Sequence, residues 1–344
     1  MIIRSKAPLR LGLAGGGTDV SPYCDTFGGC VLNATINLFT YCTIIPNDSG
    51  FVKFSAIDRN ESEIYDSNFK NIDYNGILDL HKGVYNYIIN NFNTGLLSFD
   101  LTTTSDAPAG SGLGTSSTLV VCILQAFVEW LNLPLGEYEI AQIAFQIERV
   151  DLKLSGGKQD QYSATFGGFN FMEFYSENRV IVNPLRLKSE IIYELEASSL
   201  LYFTGTSRES SKIIQDQIKS IDNLDKLEGM HEIKNDAFLM KEYLLKGQYY
   251  KFYDTMIHGW EAKKKTSNSV SNLNIDLIYE KAISSGAYCG KISGAGGGGF
   301  MLLFVDPIKR NHVINSLNEF NGKFVDFKFI KDGATSWKVR IDNS

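Results

Sequence analysis

The chain has 344 residues, of which 44% are hydrophobic and 21% charged, so it supports a large buried core and is not a wholly disordered chain. Its 33 Lys and Arg against 39 Asp and Glu give a net charge of −6. That balance disfavours a broad nucleic-acid-binding surface but leaves room for a local basic cleft for a small anion.

The start, MIIRSKAPLRLGLAGGG, does not read as a signal peptide, because Arg4, Lys6, Pro8 and Arg10 interrupt its apolar run. Strands are expected at Ile2–Leu13 and Val31–Ile45, with a turn around Gly15–Gly17 between them. Phe51–Asn75 reads as polar and irregular. Gly76–Ile89 predicts a helix and Gly95–Thr104 a strand. A glycine-rich turn then leads into a central helix over Ser116–Trp130, apolar around most of its circumference. Its longest apolar run, Leu119–Leu131, is too short to span a bilayer. Glu137–Leu152 predicts a second helix. Further strands are expected at Phe166–Phe174, Arg179–Pro184 and Ser199–Thr204. Helices follow at Glu209–Ile221, Leu227–Lys246, Gln248–Ser267 and Leu273–Ser284. Strand Gly299–Val305, helix Pro307–Phe320 and strand Lys323–Phe329 close the chain. The change of pattern suggests two units, 1–175 and 176–344.

Cys24, Cys30, Cys42, Cys122 and Cys289 form no CxxC pair, which points to free thiols and a cytoplasmic location. His81, His231, His258 and His312 lack zinc-site spacing.

The main chemical signal is Pro108-Ala109-Gly110-Ser111-Gly112-Leu113-Gly114-Thr115-Ser116-Ser117, between a strand and the central helix. Alternating glycines admit close backbone approach, and the helix start offers unpaired N–H groups. Together they read as an anion cradle, or else as a glycine-rich structural turn. The spacing fits neither a Walker A loop nor GxGxxG. Glu148 and Asp160 flank the flexible Gly156-Gly157. Such a pair can divide the two acidic tasks of phosphoryl transfer, holding Mg²⁺ and orienting the accepting hydroxyl. Lys158 is expected beside Asp160, keeping it ionised. The plain alternative is two surface carboxylates. Arg10 interrupts an apolar strand, which is costly unless it is paired or faces a cleft. Asp19 follows Gly15-Gly16-Gly17-Thr18. Near the other end, KISGAGGGGF (Lys291–Phe300) reads as a close approach to a ligand or another loop, or as a hinge.

PLRLGLAGGGTD (Pro8–Asp19), PAGSGLGTSS (Pro108–Ser117) and KISGAGGGGF, in this order, resemble the GHMP family of small-molecule kinases, which includes galactokinase, homoserine kinase and mevalonate kinase. The resemblance spans essentially the whole chain. It implies an α+β, two-domain fold: an N-terminal α/β domain with a left-handed β-α-β unit and a C-terminal ferredoxin-like domain. It also implies ATP and Mg²⁺. Position by position, Asp160 resembles the catalytic aspartate and Arg10 its partner. Pro108 and Gly110–Ser117 resemble the nucleotide loop, and Ser116 and Glu148 the metal ligands. Gly16, Gly17, Thr18, Asp19, Gly296 and Gly297 fall in acceptor-binding motifs. Galactokinases carry Glu-His where this chain has Gly16 and Gly17, which disfavours galactose.

The runs ERVDLKLSGGKQDQYSATFGGFNFMEF, LDLHKGVYNYI, FTGTSRESSKII and HGWEAKKK are similar to the heptose phosphate kinase branch of the family. The branch implies phosphorylation of the anomeric hydroxyl of a heptose 7-phosphate, on the route to GDP-heptose for surface polysaccharide. A phosphorylated acceptor needs fixed cations; Arg208 is the candidate. Lys263–Lys265 are a second source or a solvated helix face. The expected partners are a sugar phosphate and a nucleotide, with no nucleic acid or membrane, in a monomer or homodimer. Other readings are another sugar 1-kinase or a catalytically silent sugar sensor.

Overall fold

The computed structural model describes residues 1–205, 210–218 and 223–340. Strand β1 (Ile2–Ala14) is buried almost continuously from Ala7 onward. Both of its faces are covered, which is why its sequence does not alternate. After the short helix α1 (Tyr23–Phe27) comes β2 (Gly29–Pro46), which pairs antiparallel with β1, and the register shifts between Pro8 and Arg10. Such an irregularity re-aims the side chain beside it. Arg10 N–H donates to the Leu113 carbonyl at 3.1 Å, tying β1 to the glycine-rich turn.

The segment expected to be irregular contains a hairpin, β3 (Phe51–Ala56) and β4 (Glu61–Asp66). Val52, Phe54 and Ala56 alternate inward, a pattern obscured by the polar residues around it. Helix α2 (Asp79–Asn91) crosses from this hairpin to β5 (Phe99–Ser105), which lies parallel to β3. Helix α3 (Thr115–Leu131) packs on β1 and β2 and buries Val120, Val121, Ile123, Leu124 and Phe127. Each such side chain contributes roughly 1.5–3 kcal/mol by leaving water.

The second expected helix splits into α4 (Glu137–Phe145) and a π-helical turn, Gln146–Asp151. Helix α5 (Gln159–Phe166), absent from the sequence reading, follows the Gly156-Gly157 bend. Strands β6 (Phe169–Phe174) and β7 (Val180–Pro184) extend the first sheet beyond β2.

Helix α6 (Ser189–Ser198) leads into β8 (Ser199–Phe203). Helices α7 (Ser210–Ile218), α8 (Leu224–Leu245), α9 (Tyr249–Thr266) and α10 (Leu273–Ser284) follow. Then come β9 (Ala287–Ile292), β10 (Phe300–Val305), α11 (Arg310–Ser316), β11 (Lys323–Val325) and β12 (Thr335–Val339). The expected single helix Pro307–Phe320 is broken by 3₁₀ turns at either end of α11.

The first sheet runs β12-β1-β2-β5-β3-β4, with β6 and β7 attached through β2. The second is four-stranded, β11-β8-β10-β9, and antiparallel. Residues on both sides of position 175 therefore belong to the first sheet: β7 joins its β6 edge and β12 pairs with β1. Among the described residues no helix is long and apolar enough to cross a membrane. All five cysteines are free and buried.

Candidate active site

A cleft of about 790 Å³ opens where the α3 N-terminus, the start of α5, the Gly15–Asp19 turn and the Gly294-Ala295 segment converge. Its floor is the glycine-rich turn. Gly110, Gly112 and Gly114 have φ of 73°, 81° and 79°, a region that only glycine enters cheaply. Among the described residues no side chain caps α3, so its first-turn N–H groups point toward the cleft as an anion site.

The turn divides by role. Gly110, Gly112, Gly114, Thr115, Ser116 and Ser117 line the cleft. Pro108, Ser111 and Leu113 do not. Leu113 is wholly buried in the core, and the Ser111 hydroxyl lies 3.2 Å from that of Thr115. The Pro108 carbonyl accepts from Ser111 N–H at 3.2 Å. These three shape the turn rather than face a ligand.

Arg10 and Asp160 meet at the mouth of the turn. Arg10 Nε donates to Asp160 Oδ1 at 2.7 Å, and Nη2 lies 2.6 Å from the same oxygen. Arg10 Nη1 donates to the Gly112 carbonyl at 2.5 Å. One guanidinium thus fixes the carboxylate and the turn together. A Cβ on Gly114 would lie 3.3 Å from Asp160 Oδ2, so that oxygen sits at the edge of the turn. Arg10 is 4% exposed and Asp160 19%, so water screens the pair little and removing either partner would leave a costly buried charge. Lys158, expected to support Asp160, instead reaches Asp25 at 3.5 Å. Two residues apart at a helix start, Lys158 and Asp160 point to different sides.

Glu148 projects from the π-helical turn and is completely buried. Ser116 Oγ donates to its Oε1 at 2.8 Å and Gln161 Nε2 to its Oε2 at 2.6 Å. Gln161 also donates to Ser117 Oγ at 3.0 Å. Among the described residues no group of three or more His, Cys, Asp or Glu could hold a metal alone. A carboxylate and a hydroxyl beside a phosphate cradle do fit Mg²⁺, which takes one or two protein oxygens and completes its shell with phosphates and water.

Asp19 lines the cleft, but both of its oxygens are engaged within the protein. Oδ2 accepts from Gln159 N–H at 3.0 Å; Oδ1 accepts from Gly17 N–H at 3.1 Å and Gln159 Nε2 at 3.2 Å. It pins the start of α5, the helix that bears Asp160. Gly157 permits this: a Cβ there would fall 1.9 Å from Asp19 Oδ2. Gly16 and Gly17 line the cleft, whereas Thr18 is buried, its hydroxyl donating to Gly15 and Cys30 carbonyls. Gly296 and Gly297 pack against Val270, away from the cleft; Gly294 and Ala295 line it instead. Arg208 lies outside the described residues.

Two cleft residues, Arg149 and Gln159, have no role in the sequence reading, and a third, Lys263, is singled out there only as one of three lysines. Arg149 lies 3.7 Å from Glu148 and donates to Ser117 Oγ at 3.4 Å. Gln159 braces Asp19. Lys263 reaches the cleft from α9, on the buried stripe that includes Met256 and Trp260. The i, i+4, i+7 spacing of these three was the available signal.

Two family models match in order: the GHMP kinases N-terminal domain over residues 79–168 and the GHMP kinases C-terminal domain over 241–323. The chain is 51% identical over 337 residues to a D-glycero-α-D-manno-heptose 7-phosphate kinase of Campylobacter jejuni, covering 98% of this chain and 99% of that protein. A solved structure of a D-glycero-D-manno-heptose 1-phosphate kinase from Bacteroides thetaiotaomicron superposes with a TM-score of 0.85 at 48% identity, covering 98% and 100%. Lactococcus lactis galactokinase, at 18% identity and a TM-score of 0.76 over 97% and 95%, shares the fold alone. A nucleotide-type cradle with an Arg–Asp pair at its mouth, both domain matches and half the residues of a full-length relative lead to one conclusion: the chain belongs to the GHMP kinase family and is an ATP-dependent sugar-phosphate kinase.

Proposed function

We propose that the chain transfers the γ-phosphoryl group of ATP to the C1 hydroxyl of D-glycero-D-manno-heptose 7-phosphate, giving the 1,7-bisphosphate. The observation that carries this reading is the Arg10–Asp160 pair bonded to the glycine-rich turn. It puts a carboxylate where an acceptor hydroxyl would meet the last phosphate of a nucleotide held on Gly110–Ser117.

The nucleotide phosphates lie along the turn and the α3 N-terminus. The apolar end of the cleft, with Leu78, Leu80, Leu119 and Leu152, takes the base. Asp160 accepts a hydrogen bond from the C1 hydroxyl, orients its oxygen for in-line attack and takes up the proton late, because the transition state is loose. Arg10 fixes Asp160 and, with the N–H groups of the turn, offsets charge on the transferred group. Ser116 and Glu148 would hold Mg²⁺, which supplies neutralisation of phosphate charge. Arg149 keeps the Ser117 hydroxyl in place. The unit 1–175 supplies the phosphate turn and 176–344 closes the cleft, its last strand returning to the first sheet. Five buried free thiols suit a reducing cytoplasm.

The test is ³¹P NMR of the products from ATP and synthetic heptose 7-phosphate. The expected result is a second resonance coupled to the anomeric proton. The name of the Bacteroides relative favours a second reading, a heptose 1-phosphate acceptor. That reading requires turnover of heptose 1-phosphate and none of the 7-phosphate. Preference for mannose, fucose or galactose would replace both.

A further inference from the structure

Three consecutive lysines on α9 have three different surroundings. Lys264 pairs with Glu261 at 2.7 Å and is 31% exposed; Lys265 pairs with Glu232 at 3.0 Å and is 57% exposed. Lys263 is 4% exposed and lines the cleft. Its Nζ donates to the Gly294 carbonyl at 2.5 Å. Gly294 packs in turn on the phosphate turn, where its Cβ would meet Gly112 Cα at 2.8 Å. Lys263 is therefore anchored at the reacting end of the cleft.

Gly16 keeps the way to it open. A Cβ there would sit 3.7 Å from Lys263 Nζ and 3.7 Å from Gln159 Nε2, so any longer side chain would extend over the ammonium. Burying an ammonium is costly without an anion to repay it. The charges around it are Arg10 from β1, Asp19 from the turn after β1, Asp160 from α5 and Lys291 from β9. Asp236 of α8 shares with Lys263 and Lys291 a cavity of about 20 Å³ behind the cleft. Asp160 is committed to Arg10, Asp19 to α5 and Asp236 to His258 at 2.8 Å. Lys291 donates to the Gly12 carbonyl at 2.7 Å. Burial, reinforced by Arg10 and only partly offset by Asp19 and Asp160, lowers the Lys263 pKa to about 8.

We propose that Lys263 is a second substrate-contacting cation of the transfer site, donating to the oxygens of the phosphoryl group in transit, and that Gly16 is the residue that leaves it accessible. This rests on the kinase reading of the cleft. Once phosphates are bound the lysine is an ammonium; during the transfer itself it gives up no proton and acts by charge and hydrogen bonding.

The test uses the full chain with ATP and heptose 7-phosphate. Lys263→Met should lower kcat about 10²-fold, with equal losses on phosphorylated and unphosphorylated heptose, while ADP affinity changes less than about threefold. Gly16→Glu should lower kcat similarly by placing a carboxylate on the ammonium. Added to Lys263→Met it should cost little more, because its target is gone. A second readout needs no turnover. At pH 8.5 a non-hydrolysable ATP analogue should bind with proton uptake, measured by calorimetry in two buffers of different ionisation enthalpy. Lys263→Arg, which stays charged, should abolish that uptake.

If Lys263→Met does not fold, Gly16→Glu and Lys263→Arg carry the test. Wild-type turnover in Gly16→Glu, additive losses in the double variant, or unchanged uptake in Lys263→Arg would each overturn the proposal. A loss confined to the 7-phosphorylated acceptor would also overturn it, by moving Lys263 to the distal phosphate. A wild-type enzyme inactive on heptose 7-phosphate but active on another sugar would strike the proposed acceptor and leave Lys263 to be tested on that sugar.

Discussion

The turn Gly110–Ser117 and the strip Gly294–Gly299 are both glycine-rich and have different tasks. The first presents backbone N–H groups to the cleft. The second mainly supports the first. A Cβ on Gly299 would fall 2.2 Å from the Ser111 carbonyl, and one on Gly112 would fall 2.3 Å from the Ser293 carbonyl. Phe300 N–H donates to Ser111 O at 3.0 Å. The strip is glycine-rich because backbone meets backbone there, not because a ligand does. Glycine marks a close approach; only the fold says what approaches.

Substitutions in the two segments should have different consequences. The largest effect is expected at Arg10, which joins the turn to Asp160. Arg10→Met should lower kcat by roughly 10²–10³-fold in a coupled ADP-release assay. The two glycine segments should then separate. Gly299→Ala forces a positive φ and a backbone collision, costing about 3 kcal/mol in denaturant unfolding, with nucleotide affinity retained below the transition. Gly110→Ala, with φ 73° at the cleft, should cost about 1–2 kcal/mol and weaken nucleotide binding as well. If both variants lose affinity alike, the division between cradle and support fails.

Smaller effects follow. Glu148→Gln keeps the hydrogen-bonding shape but removes charge, and should raise the Mg²⁺ concentration for half-maximal rate about tenfold. An unchanged metal titration would remove Glu148 from the ligand set. Lys265→Ala, which breaks an exposed pair with Glu232, should leave rate unchanged and stability within about 0.5 kcal/mol.

Much of this site was legible before folding. Alternating glycines ahead of an apolar helix read as an anion cradle, and an arginine inside an apolar strand demanded a partner. The resemblance supplied that partner, Asp160. Three things depended on the third dimension. The hairpin Phe51–Asp66 hides its inward Val52, Phe54 and Ala56 among polar neighbours. The Lys263–Lys265 run looks uniform until α9 is rotated against the cleft. Asp19 carries a motif position and lines the cleft, yet both its oxygens are already engaged and hold the start of α5, because Gly157 lets that backbone come to it. Lys158 shows the same lesson in reverse: adjacency in sequence to Asp160 became an ion pair with Asp25.

On the proposed mechanism Asp160, fixed by Arg10 at the lip of the phosphate turn, orients the accepting hydroxyl. Single-turnover phosphoryl transfer by Asp160→Asn, with nucleotide affinity measured on the same protein, tests it most directly. The transfer rate should fall about 10²-fold or more below wild type with nucleotide binding intact. A rate within about threefold of wild type would contradict it.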